Sequence, residues 1–166
     1  MSVFSKTLVI LMGVSGCGKS SVAQALSAAT DWPWLEGDDF HSPANIAKMA
    51  GGTPLTDADR TDWVRAMADE SAVHASSTLI LACSALTPFV QRGLAEQSER
   101  RCVWIYLQGS SELISGRLGA RRGHFMDAGL LDSQFAALDV PPQAIAVPID
   151  QPVANIISDI RKALDE

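Results

Sequence analysis

Short apolar runs alternate along the chain with stretches in which apolar residues recur every three or four positions. That alternation predicts parallel strands joined by helices, because a strand buried on both faces reads as an unbroken run of Val, Ile and Leu. The first run, Thr7–Met12, is such a strand, and a helix follows over residues 19–30. Residues 34–36 form a short second strand, and residues 43–50 a short helix that Gly51 and Gly52 stop. Thr56 reads as a helix N-cap, with Asp57 and Asp59 in the first turn, where carboxylates suit the helix dipole. That helix runs to about residue 75. Residues 78–83 are apolar throughout and predict a central third strand. Pro88 suits the first turn of a helix reaching residue 97. A fourth strand over 102–107 precedes a helix capped by Ser110 and running through 121. A loop over 123–129, a helix over 130–138, a fifth strand over 144–149 and a terminal helix over 153–164 complete the chain. No repeat, low-complexity tract or Pro/Gly/Ser-rich linker divides it, so residues 1–166 read as one domain.

Between the first strand and the first helix stands Gly13-Val14-Ser15-Gly16-Cys17-Gly18-Lys19-Ser20, which fits G-x-x-x-x-G-K-[ST] at every fixed position. Glycines at these places let the backbone turn tightly and aim successive N–H groups at phosphate oxygens. The helix that follows adds its positive N-terminal end. In such a loop Lys19 bridges the β- and γ-phosphates of ATP, and Ser20 ligates Mg²⁺. Cys17 lies inside the loop as a spacer whose N–H matters more than its thiol. A strand-loop-helix with this pattern predicts a nucleotide-binding phosphotransferase of the P-loop class.

Composition narrows the partners. The net charge of −6 disfavours a nucleic-acid partner, since phosphate backbones select basic surfaces, and the Arg100-Arg101 and Arg121-Arg122 pairs form no polybasic tract. No stretch reaches the roughly 18 apolar residues of a membrane span, and the first twelve residues lack the pattern of a signal peptide. The three cysteines, Cys17, Cys83 and Cys102, are odd in number and have no metal-ligand spacing. Reduced thiols in the cytoplasm are the simplest reading.

The acids after the second strand point to the chemistry. A GTPase normally carries Asn-Lys-x-Asp, which is absent, and a motor or ATPase usually ends a buried strand in Asp, whereas the third strand here ends Leu81-Ala82-Cys83-Ser84. Glu36-Gly37-Asp38-Asp39-Phe40-His41 instead lies just past the second strand, where a parallel sheet opens its ligand crevice. A carboxylate there can accept the proton of an attacking hydroxyl or hold a Mg²⁺-bound water. Asp38 is the candidate, Gly37 permits the bend that turns it inward, and Asp39 reads as a solvated loop acid.

Longer motifs then become recognisable. Gly37-Asp38-x-x-His41-x-Pro43, Asn45-Ile46-x-Lys48-Met49 and Gly52-x-Pro54-Leu55-x-Asp57-x-Asp59-Arg60-x-x-Trp63 resemble the gluconate kinase (gluconokinase) family. Cys83-Ser84-Ala85-Leu86, Arg122-x-His124-Phe125-Met126, Leu130-Leu131-x-Ser133-Gln134-Phe135 and Asp150-Gln151-Pro152 extend the resemblance over residues 8–152. It implies ATP-dependent phosphorylation of D-gluconate to 6-phospho-D-gluconate. It also implies an α/β, three-layer P-loop NTPase fold similar to shikimate and adenylate kinases. That fold has a central five-stranded parallel sheet, helices on both faces and a mobile lid over about residues 117–129. Members of the family often form homodimers.

By position in those motifs, Lys19, Asp38 and Arg121 are the implied catalytic residues: Asp38 primes the acceptor hydroxyl, and Arg121, with Arg117 as a second candidate, reaches the phosphoryl group in transfer. Gly13, Val14, Ser15, Gly16, Cys17, Gly18, Lys19 and Ser20 hold the nucleotide phosphates, with Gln151 and Pro152 near adenine. Asp38, His41, Arg60, Ser84 and His124 face gluconate, Arg60 because a guanidinium fork suits a planar carboxylate. Ser20 and Glu36 serve Mg²⁺. His74 reads as a helix-surface residue, and Trp32, Trp34, Trp63 and Trp104 as packing residues. The chain departs from the family after Leu86: members commonly continue with Lys and then Tyr-Arg, where this chain reads Thr87-Pro88-Phe89-Val90-Gln91-Arg92. Asp139 also stands where a Glu is usual. Two alternatives stay open on sequence: a P-loop kinase for another sugar acid or polyol, and a non-catalytic ATP-binding regulator.

Overall fold

The computed structural model describes residues 4–120 and 128–165; side chains are described for 4–118 and 131–165. The chain runs β1 (Thr7–Met12), α1 (Lys19–Thr30), β2 (Trp34–Glu36), a short 3₁₀ turn (Gly37–Phe40), α2 (Pro43–Ala50), α3 (Asp57–Val73), β3 (Thr78–Ala82), α4 (Pro88–Gln97), β4 (Arg101–Gln108), α5 (Ser111–Ala120), α6 (Ala128–Ala137), β5 (Ile145–Pro148) and α7 (Val153–Asp165). The five strands pair in parallel in the order β2-β3-β1-β4-β5. This is the α/β architecture of the P-loop fold.

The apolar runs split between two faces because successive strand side chains point in opposite directions. Val9, Leu11, Ile80, Ala82, Ile105, Leu107 and Val147 face one way and meet Val22 and Leu26 of α1 and Ile156, Ile157 and Ile160 of α7. Leu8, Ile10, Met12, Leu79, Leu81, Trp104 and Tyr106 face the other way and meet Trp63, Val64 and Met67 of α3 and Val90 and Leu94 of α4. Helices therefore cover both faces, and β1, flanked by β3 and β4, is buried except at its first residue. After β1 the chain builds β2 and β3 on one side and β4 and β5 on the other, so the order reverses at β1, whose carboxyl end opens the crevice.

Several boundaries move from their sequence-based positions. Strand β3 ends at Ala82 rather than 83, β4 gains a residue at each end, and α3 stops at Val73. Helix α6 begins at Ala128, so the expected loop over 123–129 is shorter at its end. The expected lid over 117–129 likewise begins within the last turn of α5 and ends within α6; its middle, residues 121–127, lies outside the described residues. His74 is not on a helix surface: it is the C-cap of α3, and its Nδ1 accepts from the Ser76 backbone N–H at 3.3 Å. Among the described residues no helix is long and apolar enough to cross a membrane.

Candidate active site

The loop after β1 is built to receive an anion. Helix α1 starts at Gly18 with no side-chain cap and no acid in its first turn, whereas α2 and α3 are capped by Ser42 and Thr56. The first N–H groups of α1 thus lack the capping side chain that a helix N-terminus ordinarily finds. Gly16 and Gly18 hold φ of 86° and 97°, a region that side-chain-bearing residues rarely adopt. A Cβ at Gly16 would also stand 2.8 Å from Leu118 of α5. Internal acceptors already engage two of the donors that would face an anion. Lys19 Nζ bends back onto the Gly13 and Val14 carbonyls at 3.0 and 3.1 Å. The Ser15 N–H donates to Gln134 Oε1 at 2.8 Å, and Gln134 Nε2 donates to Ser15 Oγ at 3.2 Å. Among the described residues the ammonium has no carboxylate partner, and it and an amide answered by a side-chain oxygen are groups a phosphate would satisfy.

The acids lie beside this loop because β2 ends there. The Ser20 hydroxyl donates to Glu36 Oε2, so the first turn of α1 and the end of β2 meet. That hydroxyl and carboxylate form an oxygen donor pair suited to a hard divalent cation. Glu36 also caps the 3₁₀ turn by accepting from the Asp38 N–H. Gly37 is required here by close approach rather than by the expected bend: a Cβ would lie 2.6 Å from the Ala82 carbonyl oxygen. Its own carbonyl accepts from the Trp63 indole N–H at 2.8 Å, which pins α3 to the turn. Asp38 projects from this turn into a cavity of about 430 Å³ shared with Ser15, Lys19, His41, Arg60 and Ser84. Among the described residues its carboxylate has no hydrogen-bonding partner, and so it is free to accept a proton. Asp39 does not line the cavity.

A second network braces the far wall. Thr56 and Asp59 form a reciprocal capping box at the start of α3, and Lys48 of α2 pairs with Asp59 at 2.5 Å. The Lys48 ammonium and the Thr56 N–H hold the Asp59 carboxyl down at about 2. Buried Asn45 donates from Nδ2 to the Asp59 carbonyl at 2.8 Å, and the same nitrogen lies 3.4 Å from His41 Nδ1. The His41 ring stacks on Trp63, with centroids 4.2 Å apart and planes 14° apart. Burial lowers the pKa of His41, against the upward pull of Asp38 and with the help of Arg60. Burial thus disfavours the imidazolium form of this ring. Arg60 reaches the cavity while pairing with exposed Asp57 at 3.2 Å, so the surface ion pair and the cavity position coexist.

The structure thus brings the described sugar-acid candidates Asp38, His41, Arg60 and Ser84 to one cavity bordered by Lys19 and Ser15. Ser84 also anchors the loop, its carbonyl accepting from the Gly13 N–H at 3.2 Å. Arg121 and His124 lie outside the described residues. Arg117 is directed elsewhere: its guanidinium donates to the Ile149 carbonyl at 2.8 Å. Gln151, near the end of β5, spends its side-chain amide on Pro148 O and Asp159. Trp63, read from sequence as packing alone, is buried and is also the wall on which His41 stacks. Gln134 and Asn45 are members of recognisable motifs to which sequence reasoning gave no role. In the divergent segment, Gln91 ties α4 to the Ala85 and Asp139 carbonyls. Thr87 lines the cavity, and its Oγ1 is the buried side-chain oxygen without a partner among the described residues.

Comparison with known proteins agrees with this geometry. The AAA domain family model matches residues 8–141. A gluconokinase of Gluconobacter oxydans is 39% identical over 153 residues, covering 89% of this chain and 80% of its own length. The thermoresistant gluconokinase of Escherichia coli is 36% identical, with 91% and 89% covered. A solved gluconokinase structure from Sinorhizobium meliloti superposes with a TM-score of 0.85 at 37% identity, covering 98% of this chain and 93% of that one. With a phosphate-type loop and a carboxylate sharing one cavity, and with relatives matched along most of their length, the chain belongs to the gluconokinase family of P-loop kinases.

Proposed function

We propose that this chain transfers the γ-phosphoryl group of ATP to D-gluconate, releasing ADP and 6-phospho-D-gluconate. The observation that carries the reading is the single cavity into which Lys19, Ser15 and Asp38 all open. Reaction at a phosphorus atom needs the attacking oxygen and the terminal phosphoryl group within contact of each other. A cradle and an acid on separate surfaces would not provide that.

The loop amides of residues 13–20 and Lys19 would bind the phosphates of ATP, with Lys19 exchanging the Gly13 and Val14 carbonyls for phosphate oxygens. Gln134 Oε1 would give up the Ser15 N–H in the same exchange. Ser20 and Glu36 would hold Mg²⁺, which when bound offsets charge on the phosphate oxygens. Asp38 accepts the proton of the gluconate hydroxyl as its oxygen bonds to the γ-phosphorus. The bond from that phosphorus to the bridging oxygen breaks, and its electron pair leaves with ADP. Arg60 would hold the gluconate carboxylate, a reading supported by Asp57 engaging only Nη1 and being itself exposed. His41 and Trp63 shape the sugar side, and Ser84 lies on the floor. Arg121, as a cation closing on the transferring group, His124, and adenine contacts at Gln151 and Pro152 enter on the sequence motifs. The three cysteines are free thiols, which suits a reducing cytoplasmic compartment.

The test is ADP release, coupled to a spectroscopic readout, on adding gluconate, other aldonates or shikimate in turn. Turnover that depends on gluconate and is fastest with it is expected. A faster reaction with another acceptor, or ATP bound without acceptor-dependent turnover, would reject the assignment.

A further inference from the structure

The acceptor side of the cavity contains one group whose hydrogen-bonding sense is set from behind. His41 presents two ring nitrogens, and in the neutral ring one must donate while the other accepts. Asn45 decides which. Its side chain is 7% exposed, and Nδ2 donates to the Asp59 carbonyl at 2.8 Å. A carbonyl oxygen can only accept, so the atom facing it is the amide nitrogen and not its oxygen. The second proton on that nitrogen is left for His41 Nδ1, 3.4 Å away. That pairing requires a bare Nδ1, with the ring proton on Nε2.

The surroundings keep this arrangement fixed. Asp59 is itself held by Lys48 and by the capping box with Thr56, so the carbonyl that orients Asn45 sits at a pinned helix start. Trp63 stacks on the imidazole and is anchored through its indole to the Gly37 carbonyl, which limits ring rotation. The charged groups acting on the ring are Asp38, which favours the imidazolium, and Arg60, which opposes it; burial adds to the opposition.

We propose that Asn45 is a positioning residue that locks His41 as a neutral Nε2–H donor, so that this point of the cavity recognises a hydrogen-bond-accepting oxygen of the phosphoryl acceptor. The inference deepens the kinase reading and rests on it only for the identity of the acceptor. A neutral donor beside Asp38 also leaves the carboxylate unpaired, whereas an imidazolium there would compete for it.

Nitrogen-15 NMR of the wild-type chain, with His41 assigned by its loss in His41→Gln, reads the tautomer directly and without substrate. Nε2 protonated and Nδ1 bare is expected, while a proton on Nδ1 overturns the proposal whatever the variants do. Asn45→Asp places an acceptor-only carboxylate opposite Nδ1 and should move the proton there. With it, KM for gluconate should rise about tenfold, the loss of one well-placed hydrogen bond, while KM for ATP stays within about twofold. In the His41→Phe background, Asn45→Asp should change the gluconate KM no further. An equal effect of Asn45→Asp in both backgrounds would show that Asn45 acts through the fold alone and would overturn the proposal. Absence of gluconate turnover in the wild type would fail the kinase reading, yet leave the tautomer measurement standing.

Discussion

Two cations, at opposite ends of the same sheet, are both held by main-chain carbonyls, and the difference between them separates support from function. At the amino end, Arg100 is 1% exposed and donates to five carbonyls: Ser71, Thr7, Ser77, His74 and Ser76. Those carbonyls come from the start of β1, the end of α3 and the turn before β3. One guanidinium thus closes the edge where three segments arrive. At the carboxyl end, Lys19 has two carbonyls from its own loop and remains partly open to the cavity. Arg100 has used its donors, and its fork geometry leaves nothing over for a ligand. Lys19 has interim partners that a phosphate can replace. Saturation of hydrogen-bonding capacity, more than charge, tells the two roles apart.

The comparison predicts a double dissociation. Lys19→Ala should lower kcat/KM by about a thousandfold or more, roughly 4 kcal/mol of transition-state stabilisation. Its urea midpoint should stay close to wild type, because only loop carbonyls lose a partner. A large loss of stability would make Lys19 a structural residue and break the contrast. Arg100→Met should do the reverse. Five carbonyls lose their donor at once, so unfolding free energy should fall by about 3 kcal/mol. The kcat of the protein that remains folded should be unchanged, as measured per active site.

Much of this was legible in the sequence, for reasons that particular residues show. The strands could be placed because β1, β3 and β4 are buried on both faces and carry no ambiguity of period. The loop 13–20 could be recognised because its glycines answer a backbone requirement, and Asp38 because a short strand delivers it to the crevice. The clamp by Arg100 could not be seen: its partners are backbone oxygens from 23 to 93 positions away, and a carbonyl has no sequence signature. Gln134 stood in a recognisable motif, but its role was invisible for the same reason, since its partner is the Ser15 amide 119 positions earlier. Trp63 was read as packing because hydrophobicity reports burial but not which ring face meets a histidine. Capping geometry was half legible: Thr56 was evident, while Asp59 as the reciprocal cap emerged only with the helix start fixed between Thr56 and Asp57.

The network around Asp59 sharpens the comparison, because it lies at the functional end yet, as with Arg100, its charge is engaged by the fold's own groups, here through Oδ2. Its carboxylate accepts from the Lys48 ammonium and the Thr56 N–H, and these partners hold its pKa at about 2, below the ordinary 3.8. A carboxyl whose pKa is depressed by folding stabilises the folded state when ionised. That contribution is complete above about pH 4 and is lost as pH falls through about 2. Asp59→Asn should therefore be less stable than wild type at neutral pH, with the gap closing progressively as acid denaturation is followed from pH 5 downward. Turnover at neutral pH should change far less than in Lys19→Ala, since the carboxylate faces α2 and its own helix start. If engagement by the fold's own groups is the correct criterion, position near the cavity will not rescue Asp59 from a purely supporting role. A gap in stability that is the same at pH 5 and pH 2, or a loss of kcat comparable to that of Lys19→Ala, would show that location outweighs engagement by the fold.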